Sequence, residues 1–276
     1  MKLPHVLITR FNLDYEERVS KNLGLKPSEW LKSRVELFFD FCYPSIINQS
    51  EKDFQWWVYF DTKTPKSTLD EIQEKDSEKI IQIKLCNSWG DFRGDILKDL
   101  GTLPDDCDYL INSRIDSDDA LGKDTIKKIK DFAINRLKNN PEKYPFAINP
   151  LRGVIFDKNS CFFFSKGLKS NPFLSLVIPR HESTLSVFTY QHQQVKDKMT
   201  YVDLEGSKLW LQVIHDQNLL NRKAGRPIKV SASQMKIQFN FDAFPNKEGN
   251  INWLGEYILF LKRLSQKIAQ RLNKAK

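Results

Sequence analysis

Apolar and polar positions along the first 140 residues alternate between two periods. Short apolar runs at residues 5–11, 54–60, 80–85 and 109–111 have the length and the β-branched or aromatic content of buried strands. Between them, Trp30, Leu31, Arg34, Leu37, Phe38 and Phe41 recur at helical spacing. Pro27-Ser28-Glu29 starts that helix, with Ser28 as the expected N-cap, and Tyr43-Pro44 is expected to end it. Residues 69–78 read as a polar helix or loop and 92–100 as a short helix; a longer amphipathic helix runs from Asp124 through Leu137. Strands alternating with helices predict βαβ units, hence an α/β fold with a mainly parallel central sheet flanked by helices. In such sheets ligands bind at the edge where the strands end.

Past Pro145 the texture changes. Short apolar pieces at 146–149, 154–156 and 161–164, broken by Gly153 and by Asp157-Lys158-Asn159, predict a meander or hairpin. Residues 171–200 read as loop with one strand near 185–190. Residues 209–214 form a short helix or strand, and 223–252 read as irregular. A last helix is expected over 254–274, with Ile258, Leu261, Leu264, Ile268 and Leu272 on one face. The organisation predicted is one domain over residues 1–250, its first 140 residues binding one substrate and 141–250 facing the second, followed by a basic amphipathic helix over 251–276.

The chain has 276 residues and a formal charge of +8. That balance suits an anionic partner. Part of the excess lies at the end, where Lys262, Arg263, Lys267, Arg271, Lys274 and Lys276 occur with no acid among them. The final helix therefore reads either as a packing helix or as a peripheral contact with anionic lipid. No basic motif of the zinc-finger or RNA-binding type is present, so nucleic acid is not expected as a partner. No stretch has the length of a signal h-region or of a membrane span, and Cys42, Cys86, Cys107 and Cys161 lack metal-site spacing. A cytoplasmic protein, peripheral at most to the inner membrane face, is the expectation.

The sharpest feature is Arg114-Ile115-Asp116-Ser117-Asp118-Asp119, placed where the apolar strand at 109–111 runs out. In extended backbone, residues two apart point the same way, so Asp116 and Asp118 converge. Two adjacent carboxylates repel unless a cation or proton lies between them, and hard divalent ions take carboxylate and phosphate oxygens together. The cluster has the composition for holding a nucleoside diphosphate through Mn²⁺ or Mg²⁺. The same residues on a solvated acidic turn ahead of a helix are the alternative.

This pattern resembles the GT-A glycosyltransferases, in which an Asp-x-Asp motif holds the metal that bridges the donor's diphosphate. It is most similar to a bacterial family of rhamnosyltransferases. The resemblance rests on Thr9-Arg10-Phe11-Asn12, Trp30 with Arg34, Cys42-Tyr43-Pro44-Ser45 with Gln49, Phe54-Gln55-Trp56, Phe60-Asp61-Thr62-Lys63-Thr64, Ser113 through Asp119, and His215 with Asn218. It implies a GT-A fold, a nucleotide-sugar donor and a glycan or lipid-linked acceptor. It also implies metal ligands Asp116, Asp118, Asp119 and His215, and a donor contact at Asp61. Thr9 and Arg10, at the end of the first strand, are further donor candidates, as are Arg93 and Arg114; Asp95 accompanies Arg93. An inverting reaction needs a base, for which Glu182 is the candidate, with His181 behind it and His192 as a lining residue of the acceptor pocket. A silent sugar-binding domain on the same fold is the rival reading.

Overall fold

The computed structural model describes residues 1–139, 145–180, 184–217, 226–228, 232–239 and eight helical positions between 255 and 266. Its strands are β1 (His5–Arg10), β2 (Gln55–Asp61), β3 (Ile81–Cys86), β4 (Tyr109–Asp116), β5 (Ala120–Leu121), β6 (Phe146–Pro150), β7 (Arg152–Asp157), β8 (Phe162–Gly167), β9 (Ser175–Pro179), β10 (Thr200–Leu204), β11 (Trp210–Ile214) and β12 (Arg226–Ile228). The helices are α1 (Tyr15–Leu23), α2 (Pro27–Leu37), α3 (Tyr43–Ile47), α4 (Lys66–Lys75), α5 (Phe92–Gly101), α6 (Thr125–Asn139) and α7 (Ala232–Phe239).

Seven strands form the central sheet in the order β10-β6-β9-β4-β1-β2-β3. Strands β1, β2, β3 and β4 pair in parallel, as do β6 and β10; β9 alone runs against its neighbours β4 and β6. The predicted α/β class with a mainly parallel sheet is thus observed. Strand β2 is buried along nearly its whole length because both faces are covered. Trp56, Val58 and Phe60 join Leu7 and the helices α1 and α2 on one face. Trp57 and Tyr59 join Val6, Ile8 and α5 on the other. A smaller mixed sheet, β12-β8-β7-β11-β5, holds the predicted hairpin as β7 and β8.

Several local expectations are corrected. Pro27, with its fixed φ and missing N–H, takes the first turn of α2, so Lys26 rather than Ser28 is the N-cap. The helix does not stop at Pro44: a π-turn over Phe38–Cys42 carries the path into α3, with Pro44 in its first turn, where no N–H is needed. Ser45 of that helix and Gln49 just after it hold the chain beyond the Asp cluster, accepting hydrogen bonds from the N–H groups of Leu121 (3.2 Å) and Ile126 (3.1 Å). The strand expected near 185–190 is instead β9, whose Ser-Leu-Val-Ile run is fully buried between β4 and β6. Val187 and Phe188 are buried without strand pairing, and the Val187 N–H donates to Asn112 Oδ1 at 2.6 Å. Of the two readings left open for 209–214, residues 210–214 take the strand, whereas 232–239, read as irregular, are helical.

Among the described residues no helix is long and apolar enough to cross a membrane. The described positions from 255 to 266 are helical, with Tyr257, Ile258 and Leu261 exposed. Leu264, Ile268 and Leu272 of the expected apolar face lie outside the described residues.

Candidate functional site

Strand β4 leaves the sheet at Asp116 because the Asp119 N–H turns back onto the Asp116 carbonyl at 3.1 Å. The chain therefore bends where extended alternation was expected. Asp116 and Asp118 nonetheless line one cavity of about 180 Å³ at the C-terminal edge of the sheet, together with Arg10, Arg18, Trp30 and Arg34.

Asp118 is 5% exposed. Its Oδ2 lies 2.7 Å from Arg34 Nη1 and 2.9 Å from His215 Nε2. Burial opposes ionisation there, but the Arg34 guanidinium and the His215 imidazole more than offset it, and the carboxyl sits below the ordinary range. Asp119 behaves in the opposite way. Burial, then the charges of Asp118 and Asp116, push it well above the usual carboxylate value. Its Oδ1 accepts from the Val213 N–H at 2.9 Å, while its buried Oδ2 has no hydrogen-bond partner. Asp116 is more open, with Arg10 Nη2 at 3.5 Å. Arg10 and Arg18 lie 4.6 and 5.8 Å from the ring centre of Trp89, and Arg34 lies 4.8 Å from that of Trp30. Burial and the neighbouring Arg10 lower the pKa of Arg18.

The other predicted residues divide. Asp61 is buried and does not line the cavity; its two oxygens accept from the Asp14 and Lys63 N–H groups, each at 2.8 Å. Asp14 in turn accepts from the Trp89 N–H at 3.0 Å. The loops after β1, β2 and β3 are thereby tied to one another, and Asp61 positions the indole next to Arg10. Thr9 is buried, its hydroxyl accepting from Trp56 Nε1 at 2.9 Å. Arg93 is exposed on α5, away from the cavity lining. Arg114 points toward residues 170–201 and not into the cavity: Nε donates to the Pro172 carbonyl at 2.6 Å and the guanidinium lies 5.3 Å from the ring centre of Phe188. Burial lowers its pKa to about 10. Glu182, His181 and Asn218 lie outside the described residues.

Arg18 and Arg34 were not singled out as site residues from the sequence. Arg34 carried a signal, since it stands in the apolar stripe of α2, where an unpaired guanidinium would be costly. Arg18 carried none, being one charge on a polar helix.

Among the described residues no three His, Cys, Asp or Glu side chains form a ready-made metal cage. The donor set still fits a divalent ion completed by substrate oxygens. A carboxylate and an imidazole stand 2.9 Å apart, about the spacing of adjacent ligands on a six-coordinate ion, and Asp119 Oδ2 is an orphaned buried oxygen beside them. An imidazole in the set favours Mn²⁺ over Mg²⁺.

The sequence matches the model of the family described as "Putative rhamnosyl transferase" over residues 5–227. A match over most of the chain places it among the glycosyltransferases. Within them, it belongs to that rhamnosyl transferase family. No curated protein matches the sequence at a significant level. Among solved structures, the chain resembles TarS of S. aureus with 11% identity and a TM-score of 0.39, covering 78% of this chain and spanning only 37% of the length of that one. It also resembles a "putative nucleotide-diphospho-sugar transferase" from Desulfovibrio desulfuricans G20, with 8% identity, TM-score 0.37 and 77% and 81% of the two chains covered. A third is 4-diphosphocytidyl-2C-methyl-D-erythritol synthase from Anaerococcus prevotii DSM 20548, with 11% identity, TM-score 0.36 and coverage of 73% and 87%.

Proposed function

We propose that the chain transfers a hexose, rhamnose being the sugar its family name indicates, from a nucleoside diphosphate to a hydroxyl of a glycan or lipid-linked acceptor, with inversion and with a divalent metal. One observation carries this reading: two aspartates and three arginines face a single cavity at the C-terminal edge of the sheet. Guanidinium groups pair with phosphate oxygens through parallel N–H bonds. In this reading Arg10 and Arg18, which lie next to Trp89, hold the diphosphate. Arg34 holds the Asp118 carboxylate ionised, and His215 braces it from the other side. Asp116, Asp118 and His215 would hold the ion, with Asp119 behind them; the chemistry such an ion supplies when bound is neutralisation of charge on the departing diphosphate. The acceptor oxygen forms its bond to the anomeric carbon as the bond to the diphosphate breaks. The hydroxyl proton goes to a general base; Glu182, the candidate from the sequence, follows β9, whose last residue pairs with Tyr109 at the far end of β4 from Asp116, and that register speaks against it.

The test is a thermal-shift and product-release series with UDP-, GDP- and dTDP-linked sugars, each with Mn²⁺ and with EDTA. One nucleotide class should raise the melting temperature and release its diphosphate, and Asp116→Asn should remove both effects. A series in which no nucleotide sugar shifts the wild-type protein overturns the proposal. Release that is unchanged in EDTA removes the metal from it.

A further inference from the structure

Arg114 has an unusual setting. Its Nε is fixed on the Pro172 carbonyl and its plane lies near the Phe188 ring, yet among the described residues no carboxylate lies within ion-pair distance of it. Asp116 acts on it only through space. A guanidinium held rigidly, largely out of water and without an anion, is a receptor waiting for one, because removing that charge from solvent is costly unless something pairs with it. Its surroundings carry further unmet polar capacity. Tyr201, within electrostatic reach of Arg114, has a buried hydroxyl whose polar neighbour is the Ser170 hydroxyl; Ser170 already donates to the His192 carbonyl, and no full hydrogen bond to the phenol forms among the described residues. On the neighbouring strand Asn149 Oδ1 is likewise buried without a partner.

His192 completes the group. The Ser170 hydroxyl donates to the His192 carbonyl at 2.7 Å, so at the 3.3 Å contact with Nδ1 the ring is the donor. That tautomer leaves Nε2 as a lone-pair acceptor suited to a ligand hydroxyl. Burial, then the nearby Arg114, push the imidazole down to about 4, so it is neutral at neutral pH. Arg114 comes from β4 and its companions from segment 149–201, whereas the diphosphate cavity is walled mainly by residues 10–34 with Asp116, Ser117, Asp118 and Gln217; Asp116 neighbours both.

We infer that Arg114, Tyr201 and His192 form a second subsite, which selects an acceptor sugar bearing an oxyanion, a carboxylate or a phosphate, beside a free hydroxyl. The oxyanion pairs with the terminal nitrogens of Arg114 and the Tyr201 hydroxyl, while His192 Nε2 accepts from the sugar hydroxyl. The word acceptor rests on the transferase reading; the binding does not.

The experiment uses the full chain and measures binding of methyl glucuronide, glucose 6-phosphate and neutral methyl glucoside by saturation-transfer NMR, with nucleoside diphosphate binding followed in parallel by thermal shift. The anionic sugars should bind roughly tenfold or more tightly than the neutral one, and the better of the two identifies the anion. Arg114→Gln should abolish that preference, and the gentler Tyr201→Phe, which deletes one hydroxyl, should weaken it severalfold, both with nucleoside diphosphate binding intact. Equal binding of neutral and anionic sugars, or none, overturns the inference. So does loss of nucleoside diphosphate binding in a folded Arg114→Gln protein, which assigns the arginine to the donor cavity. Failure of nucleoside diphosphates to bind the wild type, with the sugar preference intact, counts against the transferase reading alone.

Discussion

Removing the side chain of Asp118 should cost the fold far more than removing that of Asp116, although both belong to one motif. The Asp118 side chain is 8% exposed and pairs with an Arg34 that is 12% exposed, whereas that of Asp116 is 37% exposed, with Arg10 at 3.5 Å. Truncating one member of a buried pair leaves the other charged and unpaired, at a cost of about 3–5 kcal/mol. An open pair at long distance is worth about 1 kcal/mol or less. For a chain of this size each kcal/mol shifts the melting temperature by about 2–4 °C. Asp118→Ala should therefore melt roughly 6–12 °C or more below the wild type, and Asp116→Ala within about 4 °C of it. The control is Arg34→Met combined with Asp118→Leu. It removes both charges and should recover much of the loss, because a well-packed apolar pair replaces a buried ion pair with little penalty. Calorimetry or urea titration of the four proteins gives the comparison. Equal melting temperatures for the two alanine variants would refute the claim that Asp118 is locked in a desolvated network. Activity losses in Asp118→Ala must therefore be read against its stability.

Acid should destabilise the protein in two windows. His5, fully buried with its Nδ1 unpartnered, is pushed down to about 3, and His192 to about 4. A histidine whose folded pKa lies below its unfolded value of about 6.5 stabilises fully above that value, and the contribution is lost as pH falls toward the folded pKa. Urea midpoints should thus drop between pH 6.5 and 4, less so in His192→Gln; flat midpoints over that range would contradict the burial. Asp118 has a depressed carboxyl, so its contribution is present above about pH 3.9 and fails only below it. Gly153→Ala should destabilise by about 1–3 kcal/mol or more, since an added Cβ would lie 2.0 Å from the Trp210 ring; a wild-type melting temperature would refute that close approach. Trp89→Ala should weaken nucleoside diphosphate binding severalfold with little change in melting temperature, the indole being 38% exposed and neighbour to both Arg10 and Arg18; isothermal titration checks it.

The first half of the fold was legible because its strands are short apolar runs, each followed by a helix with its own stripe. Strand β9 was not: Ser175–Pro179 carries the apolar run, but its reversal into the parallel sheet is set by pairing with residues some 60 positions away. The run at 185–190 looked more strand-like and is buried without a sheet partner. That Asp116 and Asp118 face one cavity was legible from their place after a buried strand. Asp61 shows the limit of that reasoning. A carboxylate at a strand end on the ligand-binding edge has two uses, and here both oxygens are taken by backbone amides. Arg114 was expected at the donor by adjacency to the Asp cluster, but which way its side chain turns depends on Pro172 and Phe188.

The reversed strand has a further consequence. Because β9 runs against β4, it starts at the edge where Asp116 ends β4 and leads the chain away from it, so residues 168–174 arrive at that edge from the smaller sheet rather than from a crossover helix. Mutations in that returning stretch can reshape the wall facing Arg114 without touching the segments that carry Arg10, Arg18 and Arg34. On the proposed reading, selection thus has a route to new sugar acceptors that leaves donor handling inherited unchanged.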